Sequence, residues 1–248
     1  MSLTVHQFPC LSDNYGFLVR DDATGATATI DTPDADAILA ELEKLGWTLD
    51  LILNTHWHPD HAGGNAAIQA ATGATIIGPP EVTRIAPLDR PVSEGEVVEL
   101  GQTKLTVIDT GGHTLGHIAY HDAADAIAFV GDTLFALGCG RLFEGTAEQM
   151  WASLQRLAAL PDDTRVYCAH EYTAANARFA LSVDGDPALR SRADQVFAAR
   201  QRGEPTVPTT IGLEKATNPF LRAPALRPHL APAEAFGEIR AAKDGFKG

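Results

Sequence analysis

The sequence predicts a layered α/β protein whose last third turns helical. Three observations carry this. First, up to about Cys168 short apolar runs alternate with amphipathic helical stretches, in the order strands–helix–strand–helix given twice, a pattern that builds sheets covered by helices on their outer faces. Second, from about Thr173 no further long strand is evident. The chain there reads mainly helical and is punctuated by Pro187, Pro205, Pro208, Pro219, Pro224, Pro228 and Pro232. Third, histidine and aspartate stand directly after several of the apolar runs, and strand ends in a layered fold gather at one edge.

Each element has its own signal. Short strands are expected over residues 3–8, 15–20 and 26–31. A helix follows, because Ile38, Leu42 and Leu45 recur at helical spacing, Pro33 suits its first turn and Gly46 stops it. Leu51, Ile52 and Leu53 form a buried strand. A second helix is expected over 63–72 and a strand over 74–78. Residues 96–109 and 118–130 read as antiparallel strands with Gly-rich turns. Thr146 and Gln149 match a capping box for a helix carrying Met150, Leu154 and Leu157 and ended by Pro161. A last buried strand over 165–168 leads to His170. The pattern change near His170 to Thr173 divides the chain into an expected domain 1–172 and a helical domain 173–248.

Composition narrows the function classes. The 248 residues, 45% of them hydrophobic, support one large domain or a main domain with a smaller one. No apolar run approaches the ~20 residues of a membrane span. A net charge of −13 disfavours nucleic acid and anionic membranes as partners. The opening MSLTVHQFP has no basic segment followed by an apolar one, so a cytoplasmic location is expected. Cys10, Cys139 and Cys168, an odd number at no metal-ligand spacing, point to buried thiols in a reducing compartment.

The most informative segment is Thr55 to His61, THWHPDH. It places His56, His58, Asp60 and His61 on the loop leaving the Leu51–Leu53 strand. Imidazole and carboxylate are ligands that first-row divalent metals accept. An extended backbone aims His56 and His58 the same way. Past Pro59, Asp60 and His61 can face a second point, so one loop could serve two metals. A mere pair of surface histidines is the bland alternative, but four candidate ligands in six positions need partners to be tolerated. A two-metal site needs more than one loop. DTGGHTLGH offers His113, FVGDTLF offers Asp132 and VYCAHEY offers His170, each just past an apolar strand. His117 fits a core or supporting role better than a ligand role.

THWHPDH, GGHTLGH, GDTLF and the final histidine resemble the metallo-β-lactamase superfamily. VGDTLFALGCGRLFEGT, VYCAHEYTAANARFA, VPTTIGLEKATNPFLR and IRAAKDGFK narrow the resemblance to glyoxalase II, the hydroxyacylglutathione hydrolases, over essentially the whole chain. The resemblance implies a four-layer αββα sandwich with a smaller C-terminal helical domain. It assigns His56, His58 and His113 to one metal and Asp60, His61 and His170 to another, with Asp132 bridging, so Asp60 and Asp132 are the catalytic carboxylates. The implied cofactors are two divalent ions, zinc first, with iron or manganese as alternatives.

The implied reaction is hydrolysis of S-D-lactoylglutathione and related 2-hydroxyacyl thioesters to the hydroxy acid and glutathione, as in methylglyoxal detoxification. Two ions sharing a water lower its pKa toward neutrality. A thiol of pKa ~8.5 leaves as thiolate with little help from an acid. For the peptide, the resemblance assigns Arg141, Phe143, Tyr172, Arg240 and Lys243. The family often has lysine at the position of Arg141 and tyrosine at that of Phe143. Arginine keeps the charge but not the geometry, and Phe143 lacks a hydroxyl. From Arg222 onward five basic residues face three acids, a local balance that suits an anionic tripeptide. The alternative from another reaction class is a persulfide dioxygenase with a single iron on two histidines and an aspartate. A monomer acting on a small molecule is expected.

Overall fold

The structure is a computed structural model describing residues 3–248; Met1 and Ser2, which open the expected 1–172 domain, lie outside the described residues. The chain divides into two compact units. The first runs through Asp109 and takes in Gly116–Gly131; the second holds Thr110–Leu115 and Asp132–Gly248.

In the first unit, one sheet has six strands in sequence order: β1 (Leu3–Cys10), β2 (Asn14–Asp21), β3 (Thr27–Ile30), β4 (Leu51–Leu53), β5 (Thr75–Gly78) and β6 (Arg90–Pro91). β1 to β3 pair antiparallel. β3 to β6 pair parallel, which requires crossovers. Helix α1 (Ala35–Leu45) makes the first crossover; α2 (Pro59–Ala62) and α3 (Asn65–Thr72) make the second. The second sheet of this unit is an antiparallel meander of β7 (Val97–Leu100), β8 (Thr103–Asp109), β9 (Ile118–Asp122) and β10 (Ile127–Gly131).

The layers follow from side chains. Ile38, Leu42 and Ile68 of the helices share a buried cluster with Phe8, Leu18, Ile52 and Ile76 of the first sheet. The opposite face of that sheet meets the meander, with Phe17 and Phe129 ring centroids 5.9 Å apart. Tyr120 of β9 donates its hydroxyl to the Asn54 carbonyl at 2.9 Å. The unit is thus helix, sheet, sheet.

Local chemistry departs from the sequence expectation at two places. Pro33 precedes α1 rather than entering it, because Asp34 is the cap and its side chain accepts from the Ala37 amide at 3.1 Å. Gly46 ends the helix in a left-handed conformation, φ 65°. Pro59 does not simply break the metal loop. It opens the short helix α2, where a proline at the first position costs no hydrogen bond, and the next helix starts only at Asn65.

In the second unit, a small hairpin pairs β11 (Leu134–Phe135) with β12 (Gly138–Cys139). Helix α4 (Ala147–Ala158) carries the expected capping box, Thr146 with Gln149, and buries Met150, Leu154 and Leu157. β13 (Arg165–Cys168) pairs with the two-residue β14 (Thr209–Thr210). The helices α5 (Thr173–Val183), α6 (Pro187–Gln201), α7 (Ile211–Thr217), α8 (Ala223–Leu226) and α9 (Pro232–Asp244) fill the rest. Leu137, Ala177, Ala180, Leu189, Ala193 and Val196 form one core. No helix among the described residues is long and apolar enough to cross a membrane.

Candidate metal centre

Four of the seven candidate ligands belong to the first unit, and the end of β4 presents them. Ile52 and Leu53 are fully buried, as are Asn54 and Thr55 after them. The chain then turns through His56–His58 into α2. His56 is buried; its Nδ1 lies 3.1 Å from Thr55 Oγ1, and its Nε2 lies 3.0 Å from His58 Nδ1. His61 is also buried, 4.0 Å from His56 between ring centroids. Its Nδ1 donates to Asp31 Oδ2 at 2.8 Å, which turns Nε2 toward Asp60, 3.6 Å from Oδ2. Asn14 donates to the same Asp60 oxygen at 3.2 Å.

Asp31 is the residue sequence reasoning passed over. It sits just past β3 with φ 57°, an unusual conformation for a non-glycine residue. Its carboxylate also accepts from the Thr55 amide at 2.7 Å and the Thr55 hydroxyl at 2.8 Å. A carboxylate on the far nitrogen fixes the ring and tautomer of a metal-binding histidine. The signal was visible: TIDT places an aspartate past an apolar strand just as FVGDT does. His117 is buried and stacks on His56 at 4.8 Å, a packing role.

The other three candidates belong to the second unit. His113 donates from Nδ1 to the Arg141 carbonyl at 2.9 Å; a carbonyl can only accept, so Nε2 is left as the ligand atom. That Nε2 lies 3.4 Å from Asp132 Oδ2, and His170 Nε2 lies 3.4 Å from Asp132 Oδ1. Asp132 therefore turns one oxygen to each histidine. Elsewhere in the protein a cluster of imidazoles this dry would be costly. Here the outward nitrogen of His61 and that of His113 are each satisfied by an acceptor. Histidine and aspartate donor atoms fall within 4.8 Å of one another in groups that could hold a metal ion. The donor set, neutral nitrogens with carboxylates, fits a divalent first-row ion.

All five candidate substrate residues line one cavity of the second unit, about 450 Å³, together with His113, Asp132, Phe135, Cys139 and Asn176. Tyr172 stacks on His170 at 4.7 Å, and exposed Phe143 sets its edge to His113 at 5.1 Å. Arg240 is buried in the cavity wall rather than open to solvent. It is 5% exposed, donating to the Cys139 carbonyl at 2.9 Å and to Asp244 Oδ1 at 2.9 Å. Lys243 donates to the Ala175 carbonyl at 3.1 Å. Burial, then the charges of Arg240, Arg178 and Arg141, push the Lys243 ammonium down to about 8. Arg141 is the exposed cation, its side chain 69% accessible.

The comparisons with known proteins decide the family. The Metallo-beta-lactamase superfamily model matches residues 22–170, and the Hydroxyacylglutathione hydrolase C-terminus model matches 171–246. The hydroxyacylglutathione hydrolase of Maricaulis maris is 59% identical over 98% of this chain and 99% of its own length. That of Erythrobacter litoralis is 56% identical over 98% of this chain and 100% of its own. The chain belongs to the hydroxyacylglutathione hydrolase family. Among solved structures, ETHE1 from Myxococcus xanthus superposes with a TM-score of 0.71 at 29% identity, covering 96% of this chain and 90% of that one. The TTHA1623 protein in a di-iron-bound form gives 0.64 at 28% identity, covering 88% and 100%.

A hydroxyacylglutathione hydrolase of this superfamily has the metallo-β-lactamase fold, an α/β sandwich with a helical C-terminal region, and binds divalent metal. The three cysteines are free and buried. Burial pushes the Cys10 and Cys168 thiols up to about 12 and that of Cys139 to about 11, so none is a nucleophile near neutral pH.

Proposed function

We propose that this chain is a binuclear, metal-dependent thioesterase that hydrolyses S-D-lactoylglutathione and related 2-hydroxyacylglutathiones to the 2-hydroxy acid and glutathione. One observation carries this. A single cavity has His113 and Asp132 in its wall together with three cations, Arg141, Arg240 and Lys243. Such a cavity suits an acyl group attached to an anionic peptide. The names of the relatives and the match of the C-terminal model point the same way. The alternative, a single-iron glutathione persulfide dioxygenase, has less support, because the relatives and the C-terminal family model carry the hydrolase name.

In this reading His56, His58 and His113 would hold one ion and Asp60, His61 and His170 the other, with Asp132 shared between the two sets. Zinc is the first choice, and iron or manganese would be accepted by the same donors. Two such ions, when bound, supply a water ionised near neutral pH and polarise the thioester carbonyl. The residues do the rest. Asp31 and the Arg141 carbonyl keep the His61 and His113 rings aimed. Asp60 and Asp132 offset metal charge. Lys243 and Arg141 meet the peptide carboxylates, while Arg240, already engaged through both terminal nitrogens, contributes its charge and holds the cavity wall. Tyr172 and Phe143, against His170 and His113, would flank the peptide where it joins the thioester. The leaving thiolate needs no acid, since a thiol of pKa ~8.5 is a good leaving group.

The functional division stays at 1–172 for metal chemistry and 173–248 for the peptide, supported by the change of family model between 170 and 171. A monomer in the cytoplasm, acting on a small molecule without nucleic acid or membrane, completes the proposal. Its test is glutathione release from S-D-lactoylglutathione by the metal-loaded enzyme, compared with a thioester lacking the peptide. The glutathione thioester is expected to be much the better substrate; no release at full metal loading would overturn it.

A further inference from the structure

We propose that Glu214 and Asn218 are positioning residues for Asp132 and His113, acting through the hairpin that lies between Asp132 and Arg141. What the site does rests on the thioesterase reading above; the positioning itself does not.

The hairpin cannot be held by its own chemistry. It has two residues per strand, and its turn carries Leu137 at φ 58°, a left-handed conformation leucine avoids. Asn176 of α5 holds the Ala136 carbonyl at 3.1 Å, and the rest of the grip comes from the end of α7, more than seventy residues away in sequence. Glu214 of α7 accepts from the Leu137 amide at 2.9 Å. Asn218, just past α7, donates to the Phe135 carbonyl at 3.2 Å and the Gly138 carbonyl at 2.9 Å, and also to Glu214 at 2.9 Å. Both side chains are fully buried, and so is Leu137, whose side chain plugs the core of α5 and α6. Arg192 and the Thr209 hydroxyl donate to the other Glu214 oxygen. Every group facing Glu214 is a donor, so an amide there would turn an NH₂ against one of them.

The two ends of the hairpin are where the chemistry lies. Its base is closed by the Gly140 amide on the Thr133 carbonyl at 3.1 Å. A Cβ at Gly140 would lie 1.9 Å from the Asp132 carbonyl oxygen, so the two chain segments touch backbone to backbone. One residue on, the Arg141 carbonyl accepts the hydrogen bond from His113 Nδ1. Thr133 adds a tie to the loop that carries His113, donating to the Thr110 carbonyl at 3.0 Å. A hairpin that slackens therefore misplaces Asp132 and His113 together, without any change in the ligands themselves.

The experiment compares Asn218→Ala with Val196→Ala, a truncation in the same helical core that makes no hydrogen bond to the hairpin. Three quantities are read: melting temperature without metal, zinc affinity by chelator competition, and turnover at saturating zinc on a glutathione thioester and on a small acyl thioester. Disturbed support of metal ligands costs about 10- to 100-fold in affinity. Asn218→Ala is expected to lose zinc affinity by that factor and to lose turnover equally on both thioesters with little change in KM. Val196→Ala should lose melting temperature alone. If Asn218→Ala melts lower but keeps wild-type zinc affinity and turnover, the network is only scaffolding and the proposal is wrong. Should Asn218→Ala not fold, amide exchange on the wild type decides, because coupling is reciprocal. Zinc should slow exchange at Leu137 at least about tenfold more than at interior amides of α6; equal slowing overturns the proposal. A wild type that binds zinc but cleaves no thioester would refute the thioesterase reading alone, since zinc affinity and exchange are read without substrate.

Discussion

Replacing Lys243 by methionine isolates peptide recognition from metal chemistry. Methionine keeps the unbranched stem that reaches between Phe179 and Phe246, which the ammonium faces at 5.3 and 5.7 Å. It removes one charge from the cavity and one hydrogen bond, to the Ala175 carbonyl. Changing Arg240 is less clean, because the buried Cys139 carbonyl would lose its donor. A charge-assisted hydrogen bond to a substrate carboxylate is worth about 1.5–3 kcal/mol. Lys243 is only half-buried, so screening trims this toward the lower end. A fall in kcat/KM of roughly tenfold to a hundredfold follows, carried by KM, with kcat and metal content unchanged. The assay is steady-state thioester hydrolysis on a glutathione thioester and on a small thioester without the peptide. Only the first should lose. Equal loss on both would refute the role given to Lys243 and make it structural.

Further outcomes follow from the same geometry. Asp132→Asn keeps shape but removes the charge shared by His113 and His170; at least one metal should be lost by elemental analysis, and kcat should fall roughly 10²-fold or more. Asp31→Ala removes the acceptor that aims His61 and should cost about 10- to 100-fold in metal affinity, read by chelator competition, with all seven proposed ligands intact. Lys243, held down to about 8 by burial and by Arg240, Arg178 and Arg141 against Asp244, binds an anion only while protonated. KM for the glutathione thioester should therefore rise as pH passes upward through about 8, and Lys243→Met should flatten that rise. The stability consequence has the opposite sense. The unfolded lysine still holds its proton up to about 10.5, so the cost of charging this group in the fold is absent above that pH and full below about 8. The stability difference between wild type and Lys243→Met should change across that window in denaturant titrations.

The candidate ligands were legible because each stands just past an apolar strand, where a polar residue has no packing reason to be. THWHPDH, His113, Asp132 and His170 all share that signature. Asp31 carries it too, yet reads as the end of the strand expected over 26–31, because a carboxylate that orients a neighbouring histidine has the same local pattern as one that closes a strand. The helix of residues 59–62 was hidden by its own proline, which reads as a break until it is seen at a helix start. Glu214 and Asn218 could not be found from local pattern at all. Both look like polar residues at the end of a short helix, and their partners at 135, 137 and 138 are set by tertiary folding alone. Arg240 shows a related limit: the resemblance names it as a substrate residue, but its burial and its bond to the Cys139 carbonyl are set by tertiary folding.

One preparation tests whether the protein works as a two-metal thioesterase. Metal per chain is measured on the same purified sample whose glutathione release from S-D-lactoylglutathione is followed. Activity that rises with loading and saturates at close to two first-row ions per chain is the predicted result. Full activity at one ion, or two bound ions with no glutathione released, would contradict it.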